Sequence, residues 1–565
     1  MTLLQQARQA QAEKNFEKAE ELFQKAMAAT PNDPELWYSY GLFVLQQGDP
    51  QEAEHCIEKS LEFQPQNAEC YMALGNIAKA QGKLDEALRY FEKGLTIDAN
   101  HVEIHNSLGN LYYQKQDFDM ALKHYVKATW LKPDYAHAHF NLGLVFINEG
   151  KIEHAIKQFN NVLSLMPEFA PAARYLGDLY LQQKNYMQAR KYYEIVLASN
   201  AEEADVLNNL GVVFLKQDRW EEASQYFTRA ILADDKHVDA KNNLAAVYLQ
   251  HERFDNAIRS YQDVLELNPE DLEANYNLGV ASMAIGELDT AKRHFEKVIG
   301  ANAKNIDARV NLAAVLLKLD KRRQAITLYE EVLTIEPDQA IAGYMLKALK
   351  GGEQPTAAPE QYVENLFDNY VGYYEKHMSE VLHYAVPMEM ERLLRPYLSG
   401  LSGKINILDL GCGSGLAAEK LQPYANSIIG IDLSDKMLKA AAKKDIYTDL
   451  IHSDIVSGMQ RLIHPIDLVI AADVFVYIGS LREIFHLVQS KLSENGLFCF
   501  STELANEMAA KEYQLLTTAR YAHAVSYIEA LAGSTGFQVI AKNSITPRHQ
   551  DAKPIKGMLY LLKKL

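Results

Sequence analysis

The sequence has few of the residues that disulfides, metal sites and membrane spans require. Only four cysteines occur in 565 residues, and none of them stands in a CxxC pair or at a His/Cys spacing of the kind that zinc needs. We expect four free thiols and no metal site. No apolar run approaches the ~18 residues of a membrane span, and "MTLLQQARQAQAEKN" has neither a basic segment nor a long apolar core. These features predict a cytoplasmic protein that does not enter a membrane.

The sequence also has fewer basic than acidic residues, with 57 Lys and Arg against 74 Asp and Glu. The formal net charge is −17, and most of the excess acid lies in the first 350 residues. A field of this sign repels phosphate backbones, so we expect no nucleic-acid partner, and it favours basic partners. Acidic residues that only solvate exposed helix faces would explain the charge equally well.

An internal repeat organises the first 350 residues. Alanine recurs ten times at a spacing of 34 residues, from Ala19 to Ala325, without an insertion. A small residue, usually glycine, stands twelve positions before nine of these alanines, and a large apolar residue stands four positions after each. Antiparallel helices approach closely only where side chains are small, and a large residue four positions on lies on the same helix face. The spacing therefore predicts two packed helices per repeat.

This pattern resembles the tetratricopeptide repeat (TPR) family, with Trp37, Gly41, Ala53 and Pro65 at the positions that the family pattern assigns. The resemblance implies an α-solenoid of about ten repeats over residues 1–339, with a concave groove lined by the first helices. The segment 340–350 is predicted to cap the last repeat. Residues 340–361 form the predicted cap and linker, because "KGGEQPTAAPEQ" is rich in Gly and Pro and has no periodicity.

One position of the repeat carries asparagine in four consecutive units. A row of side-chain amides can bind an extended peptide backbone whatever its sequence, as the resembling TPR arms of O-GlcNAc transferases imply. The same amides could instead bond within the stack, and the sequence leaves both readings open. The predicted partner is therefore a protein or peptide, and the predicted groove residues are Asn209, Asn243, Asn277 and Asn311.

Residues 362–565 follow a different pattern, in which seven apolar runs alternate with helical stretches. Such alternation predicts an α/β domain with a doubly wound, mostly parallel sheet of seven strands, whose ligand lies beyond the carboxyl ends of the strands. The first run ends in "DLGCGSGLAA". From Gly413 the glycines satisfy the GxGxxA form of the dinucleotide fingerprint, so a hydride-transfer enzyme is one candidate. Asp409, two residues before the first glycine, opposes it, because a carboxylate repels a pyrophosphate.

The run of acids and glycines resembles motifs I, II and III of class I methyltransferases, which bind S-adenosylmethionine. The resemblance implies that the glycine turn holds the methionine part, that Asp432 binds the ribose hydroxyls, and that Asp454 and Ile455 contact the adenine. The fourth strand ends in Asp473, which fits the same scheme. The implied cofactor residues are Asp409, Gly411, Gly413, Gly415, Asp432, Leu433, Asp454, Ile455 and Asp473.

Three further segments, at 367–387, 467–479 and 520–528, resemble a subgroup of bacterial methyltransferases fused behind TPR arrays. The resemblance implies a lid over the cofactor formed by Phe367, Tyr370 and Tyr374, although these aromatics could equally be core residues. It also places Arg520, Tyr521 and His523 where substrate contacts are often found, although a salt-bridged arginine and a structural histidine would fit the sequence equally well. The residues that could serve as a base are Asp473, Tyr477 and His523, should the acceptor arrive protonated.

Three functions follow as alternatives. The first is a protein methyltransferase whose TPR arm captures a polypeptide. The second is a methyltransferase of a small or carrier-bound molecule, with the arm recruiting partners. The third is a scaffold whose methyltransferase domain binds the cofactor without turnover.

Overall fold

The computed structural model describes residues 2–352, 354–368, 374–398, 404–506, 512–550 and 553–565. The chain divides into two compact units, Met1–Leu244 and Ala245–Leu565. This division differs from the boundary that composition predicts, because the last repeats belong to the same unit as the α/β domain. Within the described ranges, no helix combines the length and the apolar character that crossing a membrane would need.

The first unit is entirely helical in its described residues, as the 34-residue period predicts. Its helices follow one another as antiparallel pairs, two to a repeat. They are α1 Leu3–Ala12, α2 Phe16–Ala29, α3 Pro34–Gln46, α4 Pro50–Phe63, α5 Ala68–Ala80, α6 Leu84–Ile97, α7 Val102–Gln114, α8 Phe118–Leu131, α9 Ala136–Asn148, α10 Ile152–Leu165, α11 Ala170–Gln182, α12 Tyr186–Ser199, α13 Ala204–Leu215 and α14 Trp220–Ala233. Helix α15, Val238–Gln250, crosses the boundary between the units.

Close packing inside each repeat confirms the predicted role of the small residues. A Cβ atom added to Gly75 would lie 2.5 Å from the Phe91 ring, and one added to Gly109 would lie 2.5 Å from the Tyr125 ring. Both aromatic side chains are buried. The glycine therefore sets how closely the two helices of a repeat approach, and the aromatic ring fills the space left by the missing side chain.

The second unit begins with the last repeats and the predicted cap, which is helical as expected. These helices are α16 Phe254–Leu267, α17 Leu272–Ala284, α18 Leu288–Ala301, α19 Ile306–Lys318, α20 Arg322–Ile335 and α21 Ala340–Lys350. Two short helices, α22 Glu360–Asp368 and α23 Tyr374–Lys376, follow, and α23 continues into a π-helical turn, His377–Val381.

The rest of the second unit is a mixed sheet between helices. Its helices are α24 Val386–Leu398, α25 Leu416–Leu421, α26 Asp435–Ala442, α27 Ile455–Gln460, α28 Arg482–Lys491 and α29 Val525–Ser534. Its strands are β1 Ile405–Leu410, β2 Ala425–Asp432, β3 Asp449–His452, β4 Ile466–Ala471, β5 Leu492–Leu504, β6 Tyr513–Leu515, β7 Tyr521–His523, β8 Phe537–Ile545, β9 His549–Gln550, β10 Lys553–Pro554 and β11 Gly557–Lys564.

The seven predicted strands form one continuous path in the order β3-β2-β1-β4-β5-β11-β8. Strands β1 to β5 pair in parallel, whereas β11 runs antiparallel to both β5 and β8. The short strands β6 and β7 attach beside β5, and β9 pairs with β10. The strand order reverses between β1 and β4, which places a crevice at their carboxyl ends.

The last repeats pack directly on the α/β domain. Tyr329, Tyr344 and Met345 share one apolar cluster with Ala519 and Tyr521. The Tyr344 hydroxyl also donates a 2.8 Å hydrogen bond to the Ala519 carbonyl oxygen. The stretch read as a linker is therefore not a free hinge, because the repeats on one side of it and the sheet on the other share a core.

Candidate functional site

A sharp turn follows β1 at the crevice. Gly411, Gly413 and Gly415 all have positive φ, at 62°, 53° and 89°, a conformation that strains other residues. A side chain at Gly411 would in addition clash with Val474. Glycine is therefore required here by both the backbone conformation and the close approach of the loop after β4.

The Asp432 carboxylate fixes this turn from the end of β2. Its Oδ2 atom accepts a 2.8 Å hydrogen bond from the Gly413 backbone N–H, and its Oδ1 atom accepts a 2.9 Å bond from the Ser434 N–H. Burial raises the pKa of Asp432, and these backbone N–H groups oppose the rise. The turn N–H that could bind a phosphate is thus already used by a carboxylate. The local chemistry suits a cationic ligand better than a dinucleotide.

Asp454 and Ile455 open helix α27 after β3. The Asp454 side chain caps the helix by accepting a 2.9 Å hydrogen bond from the Ser457 N–H. Burial works to raise the pKa of Asp454, but the hydrogen bonds outweigh it, and the pKa lies below its usual range. Asp454 therefore carries a fixed negative charge at the edge of the crevice.

A cavity of about 1230 Å³ joins these elements to the last repeats. Of the residues implied to bind the cofactor, seven line it: Gly411, Gly413, Asp432, Leu433, Asp454, Ile455 and Asp473. Its opposite wall comes from the repeats, through Leu249, Gln250, Glu252, Phe254, Val280, Met283, Ala284, Ala314 and Lys318. The helix α22 and the segment around His377 complete it. One continuous space therefore connects the last repeats with the glycine turn.

Asp409 and Gly415, also implied to contact the cofactor, do not line this cavity. Asp409 is 1% exposed, and its Oδ2 atom accepts a 2.8 Å hydrogen bond from the Tyr447 hydroxyl. Its Oδ1 atom has no hydrogen-bond partner among the described residues. Burial raises the pKa of Asp409 to about 7. Gly415 is the N-cap residue of helix α25, and a Cβ atom added to it would lie 3.0 Å from the Tyr447 ring.

Asp473 lies in the cavity wall at the end of β4, but an arginine that the sequence patterns did not single out holds it. Arg548 donates to Asp473 Oδ1 at 2.7 Å and to Oδ2 at 2.5 Å, and it also bonds Glu503. Arg548 is 2% exposed. Burial raises the pKa of Asp473, and Arg548 opposes that rise. Arg548 lies in a short stretch without periodicity, "TPRHQ", between two predicted strands. The only signal in the sequence is its position in that stretch between two apolar runs.

Aromatic side chains line the cavity between Asp473 and the repeats. Phe367 contacts Tyr477 and Tyr374 edge-to-face, with ring centroids 5.7 and 6.2 Å apart. All three residues line the cavity, so two of the three residues implied to form a lid lie at the cavity. The third, Tyr370, lies outside the described residues. Burial, followed by the charge of Asp473, raises the pKa of Tyr477, which remains protonated at neutral pH.

His523 and Tyr521 are not at the cavity, so the roles implied for them need correction. Both side chains are fully buried. The Nε2 atom of His523 lies 3.0 Å from the Gly479 carbonyl oxygen, and burial lowers its pKa to about 4. The Tyr521 hydroxyl donates to the Pro355 carbonyl oxygen at 2.8 Å. Arg520, in contrast, does line the cavity.

The asparagine row forms bonds within the stack. The Nδ2 atoms of Asn209, Asn243 and Asn311 donate to Asp178 at 3.1 Å, to Asn208 at 2.9 Å and to Tyr276 at 3.0 Å, respectively. Asn277 and Asn311 do not line the cavity, although Val280 and Ala314, three residues further along the same helix faces, do. The reading in which these amides stabilise the stack thus gains support, and a peptide would meet apolar side chains beyond them.

Family models match both parts of the chain. Models described as tetratricopeptide repeat match residues 136–169, 174–239, 242–306 and 286–349, and a TPR repeat model matches 109–149. The middle TPR-like domain of cilia and flagella-associated protein 70 matches residues 3–116. A model described as a methyltransferase domain matches residues 377–542.

Individual relatives named as methyltransferases match about a quarter of the chain. A putative methyltransferase of Geobacillus sp. strain WCH70 is 28% identical over 148 residues, which are 25% of this chain and 59% of the relative. A malonyl-[acyl-carrier protein] O-methyltransferase of Legionella pneumophila is 33% identical over 131 residues, 22% of this chain and 45% of the relative. The chain spans about half the length of these curated relatives. The solved structure of pilF from Pseudomonas aeruginosa aligns with a TM-score of 0.35 and 22% identity, over 38% of this chain and 97% of that one.

Proposed function

Because the chain is a tetratricopeptide-repeat array fused to a methyltransferase domain, we propose that it transfers the methyl group of S-adenosylmethionine to a polypeptide recruited through the concave face of the array. The cavity that has one wall in the last repeats and the other at the glycine turn carries this proposal. An acceptor held against Val280, Met283 and Ala314 would already be inside the space that leads to the cofactor residues. Positioning of this kind is the main contribution a protein makes to methyl transfer.

The residues around the turn suit S-adenosylmethionine as the cofactor, which supplies an electrophilic methyl group on a sulfonium. Asp432 and Asp454 would accept hydrogen bonds from its hydroxyl and amino groups, and Ile455 would pack against its adenine. The carboxylates at the turn favour a cation and disfavour a pyrophosphate. We expect S-adenosylhomocysteine to bind and NAD not to bind.

The experiment adds an arginine to the repeat wall of the cavity. Ala314→Arg places bulk and charge on that wall, and Gly300→Arg adds the same side chain at an open position of α18 outside the cavity. We expect Ala314→Arg to lower the methylation of lysate proteins by about tenfold or more, with Gly300→Arg near wild type. Titration calorimetry with S-adenosylhomocysteine checks that both variants bind the cofactor product equally.

Recruitment through the array would be wrong if Ala314→Arg methylated proteins at the wild-type rate. A protein that bound neither S-adenosylmethionine nor its product would instead support the scaffold alternative.

A second candidate is methylation of a small or carrier-bound molecule. The relative named as a malonyl-[acyl-carrier protein] O-methyltransferase favours it. In that case label from S-adenosylmethionine would appear in the small-molecule or carrier fraction of the lysate, and the array would recruit partners without delivering an acceptor.

A further inference from the structure

None of the three predicted bases is free to take a proton at the cavity. Both oxygens of Asp473 are bound by Arg548. Tyr477 stays protonated because burial raises its pKa. His523 bonds a backbone carbonyl in the core and does not line the cavity. An acceptor that must lose a proton before it reacts, such as an ammonium group, would find no partner among these three residues.

Arg520 is a cation in the cavity wall that is paired only loosely with a carboxylate. Its guanidinium lies over the Tyr477 ring at 5.6 Å, and its Nη1 atom is 3.8 Å from Glu503, beyond hydrogen-bond distance. Nη1 has no hydrogen-bond partner among the described residues. Arg548 beside it is, by contrast, committed to two carboxylates. Nη1 is itself buried, but the Arg520 side chain as a whole is 24% exposed, and an arginine without a hydrogen-bonded carboxylate suits an anionic acceptor.

Charged groups of both signs line the rest of the cavity: the cations Lys318, Lys436 and Arg548, and the acids Glu252, Glu360, Asp368, Asp432, Asp454, Asp473 and Glu483. Asp473 is paired with Arg548, and Asp432 and Asp454 lie among the residues that are proposed to hold the cofactor. The preference for a carboxylate is therefore local to Arg520.

Lys318 is the cation that the repeats contribute, and it has no ion-pair partner among the described residues. Glu360 and Glu483 also line the cavity, but both are exposed, so water and salt screen them. His377 also lines the wall, and burial lowers its pKa, so it is neutral at pH 7 and adds no positive charge. A neutral imidazole could take a proton from an amine, and the pH profile of labelling tests that route.

We propose that the acceptor is a carboxylate group, that Arg520 binds it, and that the product is a methyl ester. This inference rests on the proposed methyltransferase function. A lone pair of a carboxylate oxygen forms the new C–O bond to the methyl carbon, the C–S bond breaks, and its electron pair stays on sulfur. The sulfonium becomes a neutral thioether and no proton is released. The reaction therefore needs no base.

The first experiment reads the chemistry of the product. The full-length protein is incubated with S-[methyl-³H]adenosylmethionine and a cell lysate, which is then separated into protein and small-molecule fractions. Methyl esters hydrolyse in mild base and release volatile labelled methanol, whereas methyl groups on amines stay attached. We expect base treatment to release the label. Label that survives the base would overturn the inference.

The second experiment tests Arg520. Arg520→Gln should lower base-labile labelling by about tenfold or more, because a charge-assisted pair with the acceptor is lost, and Arg520→Lys should keep part of it. Arg461→Gln, at an exposed arginine outside the cavity, is the matched control. Calorimetry with S-adenosylhomocysteine should give affinities within about twofold for all variants. Wild-type labelling by a folded Arg520→Gln would contradict the assignment.

The pH profile separates a carboxylate from an amine. A carboxylate is ionised throughout the neutral range, so base-labile labelling should be flat from about pH 6.5 to about pH 8.5. A steady rise across that range would indicate an acceptor that must be deprotonated and would overturn the inference.

The outcomes also distinguish the inference from the function on which it rests. If base-labile label appeared in small molecules alone, the carboxylate acceptor would be supported and the polypeptide acceptor would be contradicted. Base-stable label in proteins would keep the polypeptide and reject the carboxylate. No label in either fraction, from protein that binds S-adenosylhomocysteine, would contradict both.

Discussion

At the scale of single residues, the surroundings of each ionisable group decide what it can do. Asp432 and Asp409 stand at the ends of neighbouring strands, yet one accepts two backbone N–H bonds and the other accepts a single hydroxyl bond from Tyr447. Asp432 lines the cavity and Asp409 does not. Asp409 is therefore a buried support of the turn, with a carboxyl oxygen left unsatisfied in the described structure.

Asp409 should make stability depend on pH. Its pKa in the folded protein is about 7, above the ordinary 3.8, so the folded state holds the proton more tightly. Stability from this group is present at low pH and is lost as the pH rises from about 4 to about 7. Asp409→Asn should lack this loss and gain about 2–4 kcal/mol relative to wild type at about pH 8. Urea unfolding of both proteins at about pH 4 and at about pH 8 measures the difference in unfolding free energy.

If the unfolding free energies of Asp409→Asn and wild type differed by the same amount at both pH values, the raised pKa of Asp409 would be contradicted. Asp449→Asn, at an exposed aspartate of β3, serves as the control.

Arg548 should be essential for folding of the crevice. Arg548→Gln leaves the buried carboxylates of Asp473 and Glu503 without their shared cation, which should cost about 3–5 kcal/mol of unfolding free energy. Neutralising both acids in the same chain, as Asp473→Asn and Glu503→Gln, should recover most of that loss. Urea denaturation checks all three proteins. Arg395→Gln removes the pair between the exposed Arg395 and the partly buried Glu391, and it should cost about 1 kcal/mol or less.

If Arg548→Gln lost no more unfolding free energy than Arg395→Gln, the buried carboxylates would not need Arg548 to be stable. They would then be neutralised in another way, for example by protonation.

At the scale of elements, the repeat is defined by the contact between a glycine on one helix and an aromatic ring on the next. In the ninth repeat, a Cβ atom on Gly279 of α17 would lie 2.8 Å from the buried Phe295 ring of α18. Ala245 and Ala313 take the same position in the neighbouring repeats, so a methyl group fits where the helices are spaced for it. At Gly279, where the Phe295 ring lies this close, a side chain larger than the methyl group of alanine has no room.

Gly279→Val should therefore destabilise the second unit by about 1–3 kcal/mol through overpacking. Gly300→Val makes the same substitution on α18, where no atom lies within 4 Å of the added Cβ, and it should stay within about 0.5 kcal/mol of wild type. Thermal unfolding followed by circular dichroism compares the two. Equal effects would show that the contact with Phe295 does not control helix spacing.

The sequence allowed the long elements of both parts to be predicted, because their patterns repeat. The 34-residue period locates the paired helices, and the seven apolar runs locate the main strands. Strands β6, β7, β9 and β10 are two or three residues long, too short for any periodicity to reveal them. Asp432 and the glycines were identified because a motif fixes their spacing. Arg548 was missed because its partners are 75 and 45 residues away along the chain.

At the scale of the whole chain, the predicted boundary fell in a stretch of Gly, Pro and small residues that is held at several points. The Pro355 carbonyl oxygen accepts from Tyr521, the Thr356 carbonyl oxygen accepts from the Gly479 N–H at 2.7 Å, and Gln354 accepts from the Leu515 N–H at 2.6 Å. Composition alone indicates flexibility here, because it does not report tertiary hydrogen bonds. The compact unit begins at Ala245.

A fragment cut at the predicted boundary should therefore fold poorly. Residues 362–565 alone would expose Tyr521 and Ala519, which are buried against Tyr344. We expect this fragment to aggregate or to melt at least about 10 °C below a fragment of residues 245–565, which keeps the shared core. Size-exclusion chromatography and calorimetry compare them. Equal melting temperatures would show that the methyltransferase domain is independent of the last repeats.

The repeat wall of the cavity also limits how a protein of this kind can change its length. A repeat inserted or deleted well before residue 245 adds or removes one 34-residue module and leaves every cavity residue in place. The same change among α15 to α20 would move Met283, Ala314 or Lys318 and reshape the chamber itself. The array thus has two kinds of repeats. Those near its start could be added or removed, by evolution or by design, to suit new partners. The last three can change only together with the methyltransferase domain.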